Sequence, residues 1–126
     1  MKKPFIRWGQ YLGPVDQPFM KRWVINFGFF TLRIHNWLDS DIDRHLHDHP
    51  WWFFTYILKG GYIEVFKKYE TPMEKGDHAF RLATYQHRVV DIIKPCWTFI
   101  ITGPIKRKWG FWDDDKFTEA PDQDYM

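Results

Sequence analysis

The sequence has 126 residues, the length of one ordinary domain, so we expect a single domain over 1–126 with its core at about residues 23–112. Apolar residues make up 44% of the chain and aromatic residues 21%, which excludes a disordered chain and favours pleated sheet. Eighteen Lys and Arg against sixteen Asp and Glu give a net charge of +2, too small for the positive field that nucleic-acid binding requires.

Cysteine content and hydropathy bear on the compartment. The single cysteine, Cys96, excludes an intrachain disulfide and a thiolate-rich zinc site, and it fits a reducing environment. The first seven residues lack the apolar run of a signal peptide, and no stretch approaches about 18 uncharged apolar residues. We therefore predict a cytoplasmic protein with no membrane partner.

Short apolar and β-branched runs alternate with turn-forming residues, at intervals too short for well-formed helices. The segment through Pro18 has weak periodicity, and we expect it to wrap the core or remain loose at its end, like the acidic tail from Asp113. Between them we predict strands that pair successively and antiparallel, over residues 23–27, 29–35, 44–49, 53–58, 62–69, 78–82, 87–92 and 97–102, with a last one over 109–112.

Three turns are predicted within this series. Lys59-Gly60-Gly61 is a signal for a tight hairpin, because Gly tolerates positive φ, and 71–77 and Lys94-Pro95 are the other two. Eight or nine short strands must hide their edges, either in a closed barrel or in a double-sheet jelly roll. The fold class is therefore all-β, and composition does not separate the two architectures.

Three of the six histidines fall within residues 44–50, where an extended strand would place His45, His47 and His49 on one face. Neutral imidazole is the commonest protein ligand for divalent transition metals, so this face predicts a metal site. An exposed polar strand is the alternative interpretation.

A further ligand is expected from another strand. His87 opens the predicted strand after the Gly76 turn, and from there it could approach the first group. Glu64, on the strand after the glycine pair, is the carboxylate candidate, although a strand carboxylate is more often solvated than coordinated. His35 and His78 are interpreted as structural.

Several segments of the sequence resemble motifs of a known family. His47-Asp48-His49-Pro50-Trp51, followed by residues 58–62, looks like the first motif of the cupin superfamily. Gly76 and His87 are similar to its second motif, although the usual proline before the glycine is absent. Thr102-Gly103-Pro104 and residues 109–112 resemble a set of small uncharacterised cupin-like proteins.

The resemblance implies a cupin-type double-stranded β-helix, or jelly-roll barrel, with one divalent metal ion held by His47, His49, His87 and a glutamate. Phe53 and Phe54 stand where that glutamate would lie, so either Glu64, Asp48 or water substitutes, or the protein supplies only nitrogen ligands. A shifted pairing of His45 with His47 would place Trp51 and Trp52 there instead. The choice among Fe, Zn, Mn and Ni is left open.

Other residues are candidates for a substrate pocket. Trp51 and Tyr62 would contact a small-molecule ligand, and Arg81 or Arg88 would orient an anionic substrate. We expect a metal-binding cupin that acts as a metal-dependent enzyme, dioxygenase-like or isomerase-like, and a homodimer is favoured by the resemblance. The alternatives are a non-catalytic small-molecule or sugar-binding module, and an interaction subunit without a functional metal.

Overall fold

The computed structural model describes residues 4–40, 45–121 and 123, and its regular structure is antiparallel β-sheet. Arg44, the first residue of one predicted strand, lies outside these residues, as do parts of both termini. The strands in the described ranges are β1 (Phe5–Leu12), β2 (Met20–Asn26), β3 (Thr31–Trp37), β4 (Leu46–His47), β5 (Phe53–Val65), β6 (Glu70–Glu74), β7 (His78–Arg81), β8 (Arg88–Thr102), β9 (Gly110–Asp113) and β10 (Lys116–Glu119).

The strands form two antiparallel sheets, as in the double-sheet alternative. The larger sheet has the order β1-β2-β3-β8-β5-β6, with β7 pairing to β5, and the smaller sheet has the order β10-β9-β4. The expectation of purely successive pairing is wrong, because β8 lies between β3 and β5. The all-β jelly-roll prediction is confirmed.

The predicted hairpin at Gly60 and Gly61 is wrong, because β5 runs through both glycines. The pairing of β5 with β8 shifts register between Ile57 and Ile63, so the glycines lie in an irregular bulge. A Cβ on Gly60, whose φ is +71°, would clash with the carbonyl oxygens of Ile93 and Pro95. These glycines therefore permit close backbone approach within a bent strand.

The predicted turn at Lys94-Pro95 is also replaced by continuous strand, since β8 extends from Arg88 to Thr102. Proline has no N–H to donate and is normally excluded from a central strand. Here it lies opposite the β5 bulge, where the register skips from Gly61↔Ile93 to Lys59↔Trp97. The bulge removes the need for a ladder hydrogen bond at Pro95.

Both ends of the chain contribute strands that were not predicted. β1 pairs with β2 along its whole length, with a bulge between Trp8 and Gln10, and β10 pairs with β9 inside the acidic tail. On β1 only Leu12 is buried, which explains why the apolar alternation is weak there. In the third predicted turn, 71–77, the first four residues belong to β6 and the chain turns after Glu74.

Burial alternates strictly along β2 and β3, where every second residue points inward. This inner face joins a buried apolar cluster that includes Met20, Trp37, Ile57 and Cys96. Buried charged side chains share the face with these apolar residues. Within the described ranges, no helix is long and apolar enough to span a bilayer.

Candidate metal centre

β4 is only two residues long, and the smaller sheet fixes it in place. His47 pairs with Phe111 of β9, and the N–H of Asp48 donates to the carbonyl of Gly110. The fully buried Asp48 carboxylate accepts hydrogen bonds from the Gly110 N–H at 2.8 Å and from the Trp112 indole at 2.9 Å. Asp48 therefore anchors β4 to β9 from one side, while His47 and His49 on either side of it face the interior.

A second segment of chain meets the first at His87. The backbones of His47 and His87 exchange two hydrogen bonds, of 2.9 Å and 3.1 Å, and the His49 N–H donates to the Ala83 carbonyl. These bonds fix the spacing between the two segments before any side chain contributes. The predicted approach of His87 to the first group is what the structure shows.

The three imidazoles form the group that could hold a metal ion. The ligand atoms of His47, His49 and His87 all lie within 4.8 Å of one another. The Nε2 atoms of His49 and His87 are 3.1 Å apart. Two nitrogens each about 2.1 Å from one ion, at octahedral to tetrahedral angles, would be about 3.0–3.4 Å apart, so this spacing fits a shared ion.

Glu64 lies behind His87 and is not a member of this three-histidine group. Its Oε2 accepts a hydrogen bond from Nδ1 of His87 at 2.5 Å, and its Oε1 accepts one from Arg81 at 2.8 Å. A carboxylate bonded to Nδ1 fixes the imidazole tautomer and leaves Nε2 available as a ligand. Glu64 is therefore positioned to orient a ligand, and the ion pair with Arg81 holds the carboxylate in turn.

Electrostatics favour neutral ligands and an ionised partner. Burial lowers the pKa of His47 and of His49 well below 6.5, and the neighbouring His87 lowers both further. Burial alone would raise the pKa of Glu64, but hydrogen bonds and charge from His87 and Arg81 outweigh it and lower that pKa. Neutral imidazole is the form that binds a metal.

The remaining sequence candidates are distributed differently. His45 is exposed and lies outside the three-histidine group. Arg81 is engaged by Glu64, and neither Arg81 nor Arg88 is among the described residues that line the interior cavity. Trp51 and Tyr62 are both buried and both line that cavity.

The cavity has a volume of about 530 Å³, and the three histidines open into it. Most of its wall is apolar, and Trp51 stacks on His49 with ring centroids 5.6 Å apart. A mostly apolar cavity with a few convergent polar groups is the usual form of a small-molecule site. No Asp or Glu is among the described residues that line it.

Sequence reasoning did not assign Arg22, Arg33 or His35 to a pocket, although all three lie in this wall, on the inner faces of β2 and β3. The alternation along β2 could have indicated that Arg22 is buried. Met20, Arg22 and Val24 point to the same face of the strand, and a face with apolar residues on both sides of Arg22 is expected to be the inner one. The charge of the arginines obscured this signal, since a strand arginine is usually exposed.

The sequence matches no family model and no curated protein. Solved structures are similar in fold. The polyketide cyclase RemF from Streptomyces resistomycificus matches with a TM-score of 0.57 and 17% identity, over 68% of this chain and 65% of that one. An RmlC-like cupin from Shewanella frigidimarina matches with a TM-score of 0.56 and 12% identity, over 70% and 78%.

A third similar structure is that of HppE in its Fe(II) form, with a TM-score of 0.59 and 12% identity over 80% of this chain and 56% of HppE. This chain thus spans less than two thirds of the length of the cyclase and of HppE. Similarity at these identities concerns the fold. These matches show that the chain has the fold of the cupin superfamily.

Proposed function

We propose that this protein is a metal-dependent cupin enzyme in which His47, His49 and His87 hold one divalent transition metal ion and a small molecule binds in the cavity beside it. The observation that carries the proposal is the convergence of three imidazoles, within 4.8 Å of one another, on the wall of a cavity of about 530 Å³. Three histidines with no cysteine form an open site rather than a closed structural one.

The protein residues have separate tasks in this mechanism. Glu64 keeps the proton of His87 on Nδ1 and so presents Nε2 to the ion. Trp51 stacks on His49 and limits the rotation of its ring. The apolar wall excludes water, which strengthens every electrostatic interaction between the site and a bound substrate. A bound ion would supply Lewis-acid polarisation of a substrate oxygen, or redox chemistry if it is iron.

Similar structures support an enzyme of this kind without defining the reaction. One of them is a polyketide cyclase and another is an Fe(II) form of HppE. Cupins differ widely in chemistry, so function must be argued from the site. The proposal therefore specifies the ion-binding residues and leaves iron, zinc, manganese and nickel to measurement.

Elemental analysis of the purified, untagged protein tests the metal site. We expect close to one transition metal ion per chain in the parent and in His78→Ala, because His78 is exposed on β7. We expect loss of the ion in His47→Ala/His49→Ala, with the fold checked by circular dichroism. A parent that retains no metal, even after reconstitution with each of the four ions, would overturn the proposal.

A second candidate function is ligand binding without turnover. It is favoured by one observation: no carboxylate lines the described cavity wall, since Glu64 is bonded to His87 and Arg81. The two functions separate on treatment with a chelator. A binding module would retain its ligand after the metal is removed and show no turnover, whereas turnover in the enzyme would depend on the ion.

A further inference from the structure

One wall of the cavity has a polar row made by three adjacent strands, β2, β3 and β8. In the antiparallel register, Arg22 of β2 faces His35 of β3, and His35 faces Thr98 of β8. Side chains opposite one another on the same face of such a sheet have Cβ atoms about 4.5–5.5 Å apart. We call Arg22, His35 and Thr98 the inner polar row, and all three line the cavity.

Two members of this row are buried without hydrogen-bond partners. Among the described residues, neither ring nitrogen of His35 nor the hydroxyl of Thr98 has one, although His35 is 8% exposed and Thr98 is 0% exposed. The indole N–H of Trp37, the next inward-facing residue on β3, is in the same condition. Native proteins satisfy nearly all such groups with protein, ordered water or ligand, so these atoms mark a part of the cavity wall where a polar ligand would gain hydrogen bonds.

The positive charge beside these groups indicates that the ligand is an anion. Arg22 is buried, and its Nε donates to Gln10 on β1 at 2.9 Å, which fixes the plane of the guanidinium. Arg33, two residues before His35, is also buried and lies over the ring of Trp51 at 4.7 Å. Guanidinium groups, a hydroxyl and an indole N–H all donate hydrogen bonds, and planar guanidinium matches the geometry of a carboxylate.

His35 is suited to this setting because it stays neutral. Burial lowers its pKa well below 6.5, and the charges of Arg33 and Arg22 lower it further. A neutral imidazole adds one donor and one acceptor without adding a third positive charge beside the two arginines.

We propose that the inner polar row binds the carboxylate of a small organic acid whose remaining part lies along the aromatic wall of the cavity. This assignment rests on the proposed function for its biological meaning, since it names the substrate class of the same site. It replaces Arg81 and Arg88 as the groups that orient an anion, because both lie outside the described cavity lining while Arg22 lies within it.

The test compares 3-phenylpropanoate with its neutral isostere 3-phenylpropanamide by isothermal titration calorimetry. Both the protein as purified and the chelator-treated protein are used, so that binding of the acid to a metal ion is separated from binding to the row. We expect the acid to bind at least tenfold more tightly than the amide in both forms. Equal affinities for the two compounds, or binding of neither, would overturn the proposal.

Variants locate the effect. Arg22→Gln is expected to lower the affinity for the acid at least tenfold and to leave that for the amide unchanged. Arg88→Gln keeps the parent's affinities, because Arg88 does not line the described cavity. Thr98→Val preserves side-chain volume and provides a second probe if Arg22→Gln does not fold, with a smaller loss of acid binding expected. Unchanged acid binding in folded Arg22→Gln, or in Thr98→Val if Arg22→Gln does not fold, overturns the assignment.

The two proposals fail in different ways. A preference for the acid in chelator-treated protein, combined with a parent that never retains metal, would remove the metal-dependent enzyme and keep the inner polar row. Stoichiometric metal with no preference for the acid would keep the metal centre and remove the row.

Discussion

At the scale of single residues, two buried carboxylates near the three-histidine group have different partners and different roles. Asp48 lies between two candidate ligands, yet its carboxylate is committed to Gly110 and Trp112 of the smaller sheet. Glu64 lies far away in sequence and is bonded to the third candidate ligand, His87. Two carboxylates that sequence reasoning treated as alternatives for one task therefore contact different parts of the structure.

Replacing Glu64 with Gln should weaken metal binding. The substitution keeps the shape of the side chain but removes the negative charge that holds the proton of His87 on Nδ1, and loss of an outer partner typically costs about 10–100-fold in affinity. Competition against a chromophoric chelator measures the change. Glu70→Gln, on the exposed face of β6, is the matched control, and an equal loss in both variants would contradict this role for Glu64.

Replacing Asp48 with Ala should destabilise the fold. The variant leaves the Gly110 N–H, the Trp112 indole and the Arg107 guanidinium without their shared acceptor, and we expect a loss of about 3 kcal/mol in the free energy of unfolding. Urea denaturation of metal-free protein measures it. Asp113→Ala changes an exposed carboxylate at the end of β9 and should shift the midpoint little; similar shifts for the two would count against the anchor.

At the scale of elements, two of the predicted turns fall inside the two longest strands, β5 and β8. Gly60-Gly61 and Lys94-Pro95 carry the local signature of turns, yet they face each other across the irregular β5–β8 pairing. A turn signal is a local property, whereas a bulge requires two segments that are distant in sequence to compensate each other. No pattern within either segment alone contains that information.

Gly60→Ala should therefore destabilise the protein more than an ordinary glycine replacement. The new Cβ adds a clash with two carbonyl oxygens to the strain of positive φ, and we expect a loss of about 2–4 kcal/mol.

Gly76→Ala is the matched control for this change. Gly76 has a φ of +91°, and nothing lies within 4 Å of the position that a new methyl group would take, so only the backbone strain of about 1 kcal/mol remains. Both variants are compared by chemical denaturation. If they lose the same stability, close approach across the bulge is not what requires Gly60.

At the scale of the whole molecule, the sequence predicted the fold class and named the three histidines that lie together in the structure. Strand parity is enough to place His47 and His49 on one face, and the position of His87 at the start of a predicted strand, together with the family resemblance, indicated the third histidine. The inner polar row was not predictable in the same way, because it depends on the register of β2, β3 and β8. His35 was interpreted as structural for that reason, and Arg22 was not considered.

Burial of neutral histidines predicts acid sensitivity of the metal-free protein. The pKa of His35 is lowered by burial and by Arg33 and Arg22, so below its ordinary value of 6.5 the unfolded chain binds a proton that the folded chain does not. The stability is fully present above about pH 6.5 and declines as the pH falls, by up to about 1.4 kcal/mol per pH unit for this one group.

Denaturation at a series of pH values, with His35→Gln as the comparison, isolates this contribution. The variant should show a shallower decline below pH 6.5 than the parent, while the buried His47 and His49 still contribute their part in both proteins. Identical slopes in parent and variant would show that His35 takes up its proton as readily in the folded chain.

The distance along the chain between His49 and His87 has a consequence for folding. The two residues are 38 positions apart, and their Nε2 atoms lie 3.1 Å from each other. An ion held by both would close that loop as a covalent cross-link does, and a loop of this length corresponds to about 4 kcal/mol of chain entropy removed from the unfolded state. In a protein with one cysteine, the metal would thus act as the cross-link that a disulfide supplies elsewhere, and its loss would lower the free energy of unfolding even where the fold survives.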